Sequence, residues 1–411
     1  MKCSVVILCP FRHLSRLSSE WVARALEPLP DLTGKTILQV APELSAGGVE
    51  RTVLEVTEAI VEAGGRALLA SRGGRLEGEF EKLGGELFRM DAKSKNPLVL
   101  KANEGKLKRI IRGEGVHLVH ARSRAPAWSA YAAAKATGVP FVTTYHGAYS
   151  GTSGLKLKYN SVMAKGELVI ANSRWIAEHV QKVHGLPPER IVTIPRGVDL
   201  VAFDPANVAQ SRIEAVRERW GLKGDTRLTL FLPGRLTEWK GQLLAIEALG
   251  HLAPEEREGL VLVLAGDAQG RTAYEGRIYD TVRHLQLDGQ VLVVGHETDM
   301  PAAYLASDIV MAPSTRPEAF GRVAAEGSAM ARPVIVSDHG GGRETVLDGE
   351  TGARVEPGDA AALAGAIRAL LAVGKTARAG MGKAGQAHVR SHFSKRGLQM
   401  ATLGVYKRLI G

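Results

Sequence analysis

The chain has 411 residues, of which 45% are hydrophobic and 23% charged, a length that exceeds what one hydrophobic core usually supports and so predicts two domains. No apolar run approaches the ~18 to 20 residues of a membrane span, and the apolar stretch near the N-terminus is too short and has no convincing cleavage site. Two cysteines, Cys3 and Cys9, exclude a disulfide framework and a CxxC redox pair. We expect a soluble, cytoplasmic protein.

The positive charge is concentrated in one part of the chain. The formal net charge is +10, and residues 101–200 hold fifteen Lys or Arg against six Asp or Glu. This surplus predicts a basic face on the first half of the protein, which can attract anionic lipid head groups, acidic saccharides or nucleic acid. A solvated surface that happens to be basic is the alternative.

In the first half, short apolar runs alternate with longer amphipathic ones, a pattern typical of parallel sheets covered by helices. Residues 1–33 precede this alternation as an N-terminal extension, for which an accessory helix around Ser18–Leu26 and partial disorder are the alternatives. The predicted strands are Thr36–Ala41, Arg66–Ser71, Glu86–Met90, Val116–Ala121, Pro140–Tyr145 and Glu167–Ala171. The predicted helices are Val49–Glu62, Val99–Arg112, Pro126–Thr137 and Arg174–Val183.

A second alternation follows a break between Arg196 and Thr226, a stretch that contains a charged helix at Ser211–Trp220 and in which we place the linker. Its predicted strands are Leu228–Leu232, Leu260–Leu264, Val291–Val294, Ile309–Met311 and Val334–Val336. The prediction is an α/β protein with two doubly wound, Rossmann-like domains, 34–205 and 206–392, that face each other across a cleft. The last segment, 393–411, predicts a helix that packs back on the first domain. Ligands of such sheets bind outside the carboxyl ends of the strands, so the cleft should hold the active site.

Two motifs of the first half follow predicted strands. Gly47 and Gly48 stand where a strand passes into a helix, and glycines there let backbone N–H groups approach an anion. The spacing is not GxGxxG, which disfavours a dinucleotide cofactor. His146 ends a later strand and can hold a sugar hydroxyl or accept a proton near neutral pH. A plain turn and a structural histidine are the respective alternatives.

The second half carries cations at the corresponding position. Arg235 and Lys240 bracket the turn after its first strand, where two fixed cations can stabilise a diphosphate and replace a metal ion. Gly266 and His296 lie at two further strand ends, whose backbone groups could frame a base or ribose. These last two signals are individually weak, and loop cations in water are the alternative for the first pair.

Two carboxylates mark the most informative segment of the chain. Glu318 precedes a predicted helix at Arg322–Met330, and Glu326 lies eight positions further on, a little over two helical turns at about 3.6 residues per turn. One cleft could therefore receive both acids, beside a helix start that suits phosphate or sugar hydroxyls. A loop acid and a solvated helix residue are the alternative.

Together these motifs resemble the retaining glycosyltransferases of family 4, which have the two-domain GT-B fold. The resemblance runs from about Thr36 to the C-terminus, and its most specific element is the E-x7-E pattern of Glu318 and Glu326. The sequence also matches the family pattern at Gly340-Gly341-Gly342, which precede Glu344. The chain departs from the family pattern at Arg196, where Asn is common, and at Ala331, where Gly is common.

The resemblance implies roles for individual residues. Glu318 would contact the donor sugar, Glu326 the ribose, and Arg235 and Lys240 the diphosphate, whereas His146 would lie beside the reacting sugar. The implied catalytic set is His146, Arg235, Lys240 and Glu318. The implied donor-binding set is Gly47, Gly48, Arg235, Lys240, Gly266, His296, Glu318, Ala319, Phe320, Gly321, Arg322, Val323 and Glu326. No metal and no cofactor is expected beyond the nucleoside-diphosphate sugar substrate.

The basic segment 120–165 indicates an acidic or lipid-linked saccharide acceptor and an anionic membrane surface, on the cytoplasmic face of the inner membrane. It resembles that of alphaproteobacterial mannosyltransferases of the lipopolysaccharide core, which implies GDP-mannose as donor. The acceptor-side residues predicted here are Arg122, Arg124, His146, Lys156 and Lys158.

Two alternatives remain at this point. A sugar-nucleotide epimerase would use the same pair of domains without an acceptor. A nucleic-acid-binding protein would explain the net charge, but not the paired acids, since carboxylates repel phosphates unless cations hold them. We therefore expect no nucleic-acid partner.

Overall fold

A computed structural model describes residues 28–45, 47–149 and 153–411. The expected accessory helix around Ser18–Leu26 lies outside the described residues. Within them, two parallel sheets are each covered by helices on both faces, which confirms the predicted α/β architecture.

The first sheet has seven parallel strands in the order β3-β2-β1-β4-β5-β6-β7. These are β1 Thr36–Val40, β2 Arg66–Ser71, β3 Glu86–Arg89, β4 Leu118–Ala121, β5 Phe141–Tyr145, β6 Leu168–Ala171 and β7 Ile191–Thr193. Its helices are α1 Gly48–Glu62, α2 Glu77–Lys82, α3 Pro97–Gly113, α4 Arg124–Thr137, α5 Gly154–Asn160 and α6 Arg174–His184, with short 3-10 turns at Ser161–Ala164 and Pro188–Arg190.

The second sheet has six parallel strands in the order β10-β9-β8-β11-β12-β13. These are β8 Leu228–Pro233, β9 Leu260–Ala265, β10 Val291–Gly295, β11 Ile309–Ala312, β12 Val334–Ser337 and β13 Gly352–Val355. The remaining helices are α7 Gln210–Arg219, α8 Gln242–Gly250, α9 Pro254–Arg257, α10 Thr272–His284, α11 Met300–Leu305, α12 Arg322–Ala329, α13 Gly342–Thr345, α14 Ala360–Ala372, α15 Gly374–His392 and α16 Lys395–Ile410, with 3-10 turns at Pro205–Asn207 and Glu238–Lys240.

Each predicted strand is present within two residues of its expected bounds, but the sequence analysis missed the edge strands β7 and β13. Strand β7 has only three residues, none of them fully buried, and β13 begins with Gly352 and contains Arg354. Edge strands pair on one side only, so they need not be continuous apolar runs. The linker and the domain bounds at 205 and 206 stay predictions.

Alternate side chains of the central strands enter opposite cores. In β1, Leu38 and Val40 belong to one buried cluster, whereas Ile37 belongs to the cluster on the other face. In β8, Leu230 packs on one side and Phe231 on the other. Successive side chains of a strand point to opposite faces of the sheet, and both faces are buried. The strands of both sheets therefore appear in the sequence as continuous apolar runs.

The C-terminal helix α16 returns to the first sheet, as predicted. Its Leu403 and Tyr406 are fully buried in the cluster that covers β1. At its start, Lys395 forms an ion pair with Asp199 at 2.9 Å, and Gln399 donates to the backbone oxygen of Glu55 in α1 at 2.9 Å. The chain of the second half therefore completes the core of the first.

A second contact joins the two halves near their cleft. The carboxylate of Glu344, in α13, accepts hydrogen bonds from the backbone N–H groups of Arg174 and Trp175 at 3.1 and 3.0 Å. These are the first residues of α6, where helix N–H groups lack intrahelical partners and an anion is favourable. Ala319 also packs against the core of the first sheet.

In the part of the chain that the structure describes, no single helix is long and apolar enough to cross a membrane. The helices α14 and α15 meet the length and composition criteria only as a pair, across a bend of 109°.

Replacing Tyr406 with Phe should lower the free energy of unfolding by about 1–3 kcal/mol, because it leaves a buried polar atom without its partner. The Tyr406 hydroxyl lies 2.6 Å from Nδ1 of buried His120, whose Nε2 lies 2.7 Å from the Thr144 hydroxyl. Urea unfolding of both proteins measures the difference. Tyr279→Phe is the control, since Tyr279 is 46% exposed, and an equal change in both variants would contradict this account.

Candidate active site

Each sheet has a point where the strand order reverses, between β1 and β4 in the first and between β8 and β11 in the second. Ligands of doubly wound sheets bind in the crevice at this point, beyond the carboxyl ends of the strands. In the second sheet, the segment after β8 carries Lys240 and the segment after β11 carries Glu318. The structure brings these two side chains together, with Lys240 Nζ 2.8 Å from a carboxylate oxygen of Glu318.

Close backbone packing holds the two segments in place. Gly241 adopts a φ of 81°, and a Cβ there would lie 2.1 Å from the carbonyl oxygen of Pro313. Thr315 N–H donates to the carbonyl oxygen of Trp239 at 2.9 Å. The turn that bears Lys240 is therefore fixed against the loop that leads to Glu318.

The ion pair is largely withdrawn from solvent. The side chains of Lys240 and Glu318 are only 14% and 16% exposed. The Ser314 hydroxyl donates to the same carboxylate, and the ammonium lies 4.4 Å from the centre of the Trp239 ring. These contacts position the ammonium and the carboxylate before any ligand arrives. Arg235, predicted to act with Lys240, is exposed at the start of the same turn.

Three consecutive glycines, residues 340–342, lie against the loop that carries Glu318. Gly341 N–H donates to the carbonyl oxygen of Glu318 at 2.8 Å, and a Cβ at Gly341 would lie 2.4 Å from Cα of Phe320. Gly340 has a φ of 61°, where a Cβ would lie 2.4 Å from the Glu318 oxygen. The triple-glycine motif therefore matters because two backbones approach closely.

The predicted donor-binding stretch 319–323 has mixed orientations. Phe320 is buried and stacks edge-on against Phe393, so only its backbone is free to contact a donor. Gly321 has a φ of 87° and directly precedes α12, while Val323 packs against the core of the second sheet. For Phe320, the predicted contact with the donor can therefore come only from its backbone atoms.

Glu326 lies on α12 beside Arg322. One carboxylate oxygen accepts from Arg322 Nε at 2.9 Å and the other from the Tyr304 hydroxyl at 3.0 Å. Glu318 does lie in a loop before α12, but the Glu326 side chain is only 12% exposed, so the alternative that Glu326 is a solvated helix residue is wrong.

In the first sheet, the glycine turn after β1 makes room for an arginine. A Cβ at Gly48 would lie 1.8 Å from Nη1 of Arg196, which follows β7. Arg196 Nη2 lies 3.1 Å from Nδ1 of His146, which follows β5. Gly47, with a φ of 132°, precedes α1 in a conformation that favours glycine. The glycine motif, the histidine and the residue that departs from the family pattern therefore form one cluster.

Burial sets the protonation state of this cluster. Desolvation lowers the pKa of His146 far below its usual value, and the positive charge of Arg196 lowers it further. Burial also lowers the pKa of Arg196 to about 10, which still leaves it charged at neutral pH. His146 is therefore neutral, and because its Nδ1 accepts from Arg196, its proton is assigned to Nε2. That buried Nε2 has no hydrogen-bond partner among the described residues.

The predicted acceptor-side cations do not form one surface. Arg122 is buried and donates two hydrogen bonds to Gln39 Oε1, at 3.1 and 2.6 Å. The prediction that Arg122 lies on an exposed basic surface is therefore wrong. Arg124 donates to Asn160 and lies 4.0 Å from the centre of the Tyr149 ring. Only Lys156 and Lys158, which are both exposed on α5, can meet a partner directly.

Two weaker predictions have a structural explanation. A Cβ at Gly266 would lie 1.9 Å from the carbonyl oxygen of Gly234, so a glycine is needed where the segments after β8 and β9 meet. His296 is exposed at the end of β10, on the edge of the sheet. Neither observation tests a contact with a base or ribose.

The sequence analysis missed several groups around the site. Trp239, Ser314 and Tyr304 contact the three charged residues already described, and only Trp239 is adjacent to one of them in sequence. Glu55 is buried on α1, where desolvation raises its pKa to about 7 despite the opposing effect of Arg322. In the described ranges, no group of three His, Cys, Asp or Glu side chains could hold a metal ion.

Replacing Gly48 with Ala should lower turnover by at least about tenfold, or about 1.4 kcal/mol of barrier, while the protein stays folded. The added methyl group displaces the flexible end of Arg196 and removes its contact with His146. Steady-state kinetics and thermal melting measure the two effects. Gly105→Ala is the control, because a Cβ there meets open space, and full activity of the Gly48 variant would contradict the role of the cluster.

Comparisons with known proteins agree with this geometry. Residues 46–201 match the family model described as Glycosyltransferase Family 4, and residues 212–388 match Glycosyl transferases group 1. A D-inositol 3-phosphate glycosyltransferase of Xylanimonas cellulosilytica is 33% identical over 277 residues. That match covers 64% of this chain and 65% of the relative, so the chain spans less than two thirds of that protein.

Two solved structures share the fold over almost their whole length. A glycosyltransferase from Rickettsia africae is 35% identical, with a TM-score of 0.83 over 91% of this chain and 98% of the other. Anabaena Alr3699/HepE, solved in complex with UDP and glucose, is 22% identical with a TM-score of 0.78 over 91% and 100%. Family membership favours a transferase over both alternatives, epimerase and nucleic-acid binder. The chain belongs to glycosyltransferase family 4 and has the GT-B fold.

Proposed function

We propose that this glycosyltransferase moves a hexose from a nucleoside-diphosphate sugar to an acceptor hydroxyl, with retention at the anomeric carbon and without a metal ion. The observation that carries the proposal is the ion pair of Lys240 and Glu318 at the reversal point of the second sheet. It puts a cation for a phosphate next to a carboxylate for sugar hydroxyls.

The diphosphate of a donor would compete with Glu318 for Lys240. Two phosphate charges attract an ammonium more strongly than one carboxylate does, and Arg235 at the start of the turn adds a second cation. Glu318 would then be free to accept hydrogen bonds from hydroxyl groups of the donor sugar. Donor binding therefore replaces an internal ion pair with two ligand contacts.

The reaction breaks the bond between the anomeric carbon and the phosphate oxygen, and the bonding electrons leave with the diphosphate. Lys240 and Arg235 lower the barrier because they stabilise the charge that develops on this leaving group. The acceptor oxygen attacks from the face that the diphosphate leaves, and its proton passes to the departing phosphate oxygen. The anomeric configuration is thereby retained.

The cluster of the first sheet suits the same step. Neutral His146 carries its proton on Nε2 and can donate a hydrogen bond to the sugar, but it is a poor base in this state. Arg196 fixes the ring from the other side. A positive charge so close to the cleft also favours an anionic substrate.

For the substrates, we propose mannose from GDP-mannose and an acidic or lipid-linked envelope saccharide, as in lipopolysaccharide synthesis. The Anabaena neighbour, whose structure contains UDP and glucose, makes UDP-glucose the second candidate donor. Thermal stabilisation by a panel of UDP-, GDP- and ADP-sugars separates them, since a ligand at 100 times its Kd adds about 2.7 kcal/mol. Stabilisation by none of the panel would contradict the proposed function.

Lys240→Ala and Glu318→Ala should each lower turnover by at least about tenfold, roughly 1.4 kcal/mol of barrier, without unfolding the protein. The first substitution removes a positive charge that stabilises the leaving group, and the second removes a carboxylate that accepts hydrogen bonds from the hydroxyl groups of the donor sugar. Initial rates at saturating donor, with circular dichroism of each variant, measure this.

The matched control is the surface ion pair of Lys223 and Glu218, which has the same chemistry at 2.9 Å but is 76% and 63% exposed. Lys223→Ala and Glu218→Ala should leave turnover unchanged, because exposed pairs contribute little. Near-normal turnover in either cleft variant would count against the mechanism.

The short helix α5 supports the proposal that the protein works at an anionic membrane surface. Its inner side is tied to α4, since Trp128 Nε1 donates to the Tyr159 carbonyl oxygen at 3.1 Å. Its outer side carries Lys156 and Lys158 together with Leu155, which is 84% exposed. Cations beside an exposed leucine suit anionic head groups and the acyl boundary.

Lys156→Glu with Lys158→Glu should weaken binding to anionic vesicles at low salt, since each lysine near the surface contributes about 1 kcal/mol. Co-sedimentation with vesicles that contain phosphatidylglycerol, against vesicles of neutral lipid, measures it. Lys375→Glu with Lys383→Glu makes the same charge change on α15 and should bind normally. If the wild-type protein does not bind anionic vesicles at low salt, the proposal that it works at a membrane surface fails.

A further inference from the structure

An open groove of about 580 Å³ lies beside the Lys240 turn, at the carboxyl end of the second sheet. Its walls come from three segments that follow β8, β9 and β11. The groove contains none of the predicted contacts for the base, the ribose or the donor sugar, and of the predicted diphosphate contacts it contains only Arg235. Its lining residues are Arg235, Thr237, Glu238, Trp239, Arg271, Ala273, Tyr274, Arg277 and Arg316.

Four arginines share this groove with one carboxylate. Glu238 forms an ion pair with Arg277, and that pair is exposed. The guanidinium groups of Arg235 and Arg316 make no hydrogen bond or ion pair with any described residue, although both line the groove. Arg271 donates only to a nearby carbonyl and, at 3.5 Å, to Gln269. Three cations are therefore unneutralised in one concave surface.

Hydrogen bonds between the segments give this groove a fixed frame. The Tyr274 hydroxyl, on α10, donates to Gln242 Oε1 at 3.2 Å, and Gln242 Nε2 donates to the carbonyl oxygen of Arg235 at 3.0 Å. Thr315, the residue before Arg316, donates to the carbonyl oxygen of Trp239. The backbones that carry the cations are therefore linked to one another, and the half-buried ring of Trp239 supplies flat apolar surface beside them.

Like charges in one concave surface repel each other, so a ligand with matching negative charge would relieve the repulsion. Arginine binds phosphate through two parallel hydrogen bonds, and the ring of Trp239 suits the face of a sugar. Resting on the proposed function, we propose that this groove binds a phosphate group of the acceptor, adjacent to the donor diphosphate. The acceptor is thus a phosphorylated saccharide or cyclitol.

The placement of the groove fits an acceptor rather than a second donor contact. Arg316 lies two residues before Glu318, the predicted contact of the transferred sugar, and Trp239 directly precedes Lys240. An anion held between Arg316 and Arg271 would therefore be anchored close to the reacting sugar while the diphosphate occupies Lys240. The groove therefore adds a contact for the acceptor on the second half of the protein. This contact does not involve the exposed lysines of α5 in the first half.

Calorimetric titration with matched probes tests this inference on the protein saturated with the nucleoside diphosphate of its donor, so that the diphosphate contacts are already filled. The probes are myo-inositol 3-phosphate against myo-inositol, glucose 6-phosphate against glucose, and a short-chain alkyl diphosphate. The first two pairs report a soluble phosphorylated acceptor, and the last represents a lipid-linked one. At least one phosphorylated probe should bind about tenfold or more tightly than its neutral counterpart or, for the alkyl diphosphate, than the parent alcohol, a difference of about 1.4 kcal/mol.

The double variant Arg271→Gln, Arg316→Gln should abolish this preference and leave the affinity for the nucleoside diphosphate within about twofold. Arg283→Gln is the matched control, because Arg283 is exposed on the same helix α10 and pairs with Asp280. Equal binding of phosphorylated and neutral probes to the wild-type protein, or an equal loss in the control, would overturn the inference. Failure of every nucleoside diphosphate to bind would instead contradict the proposed function.

Discussion

The ion pair between Lys240 and Glu318 is the interaction around which the cleft is organised. Two loops from neighbouring strands meet there, and each is shaped by a glycine that accepts a close backbone contact, Gly241 on one side and Gly340 on the other. With its ends fixed, the pair keeps a cation and an anion 2.8 Å apart in a largely dry setting. Preorganisation of this kind favours catalysis because little rearrangement is needed when charge develops.

Much of the fold was predictable, because buried parallel strands are continuous apolar runs and their helices are longer and amphipathic. The two missed strands lie at sheet edges, where burial is incomplete. The paired acids were recognisable from their spacing, and the cationic turn from its place after the first predicted strand of the second half. Sequence spacing could not identify Tyr304 as a partner of Glu326, because 22 residues separate them and only the tertiary fold brings the two side chains together.

Burial is the other quantity that the sequence did not reveal. Arg122 belongs to a basic segment, yet it is enclosed and supports Gln39, so a count of charges overstated the exposed basic surface. The unusual Arg196 has a place only because Gly48 lacks a side chain, a dependence between residues 148 positions apart in sequence. In both cases a long side chain from one strand end fills space left by another, which is a property of the folded core.

The contact of Glu344 with the start of α6 has a consequence for motion of the two halves. Its carboxylate and the two amides it receives are polar groups that water solvates well, so separating them costs little free energy. The helix α16, by contrast, buries apolar side chains that cannot be exposed cheaply. The polar link through Glu344 is therefore weaker than the apolar packing of α16, and a relative motion of the two halves would break the polar link first.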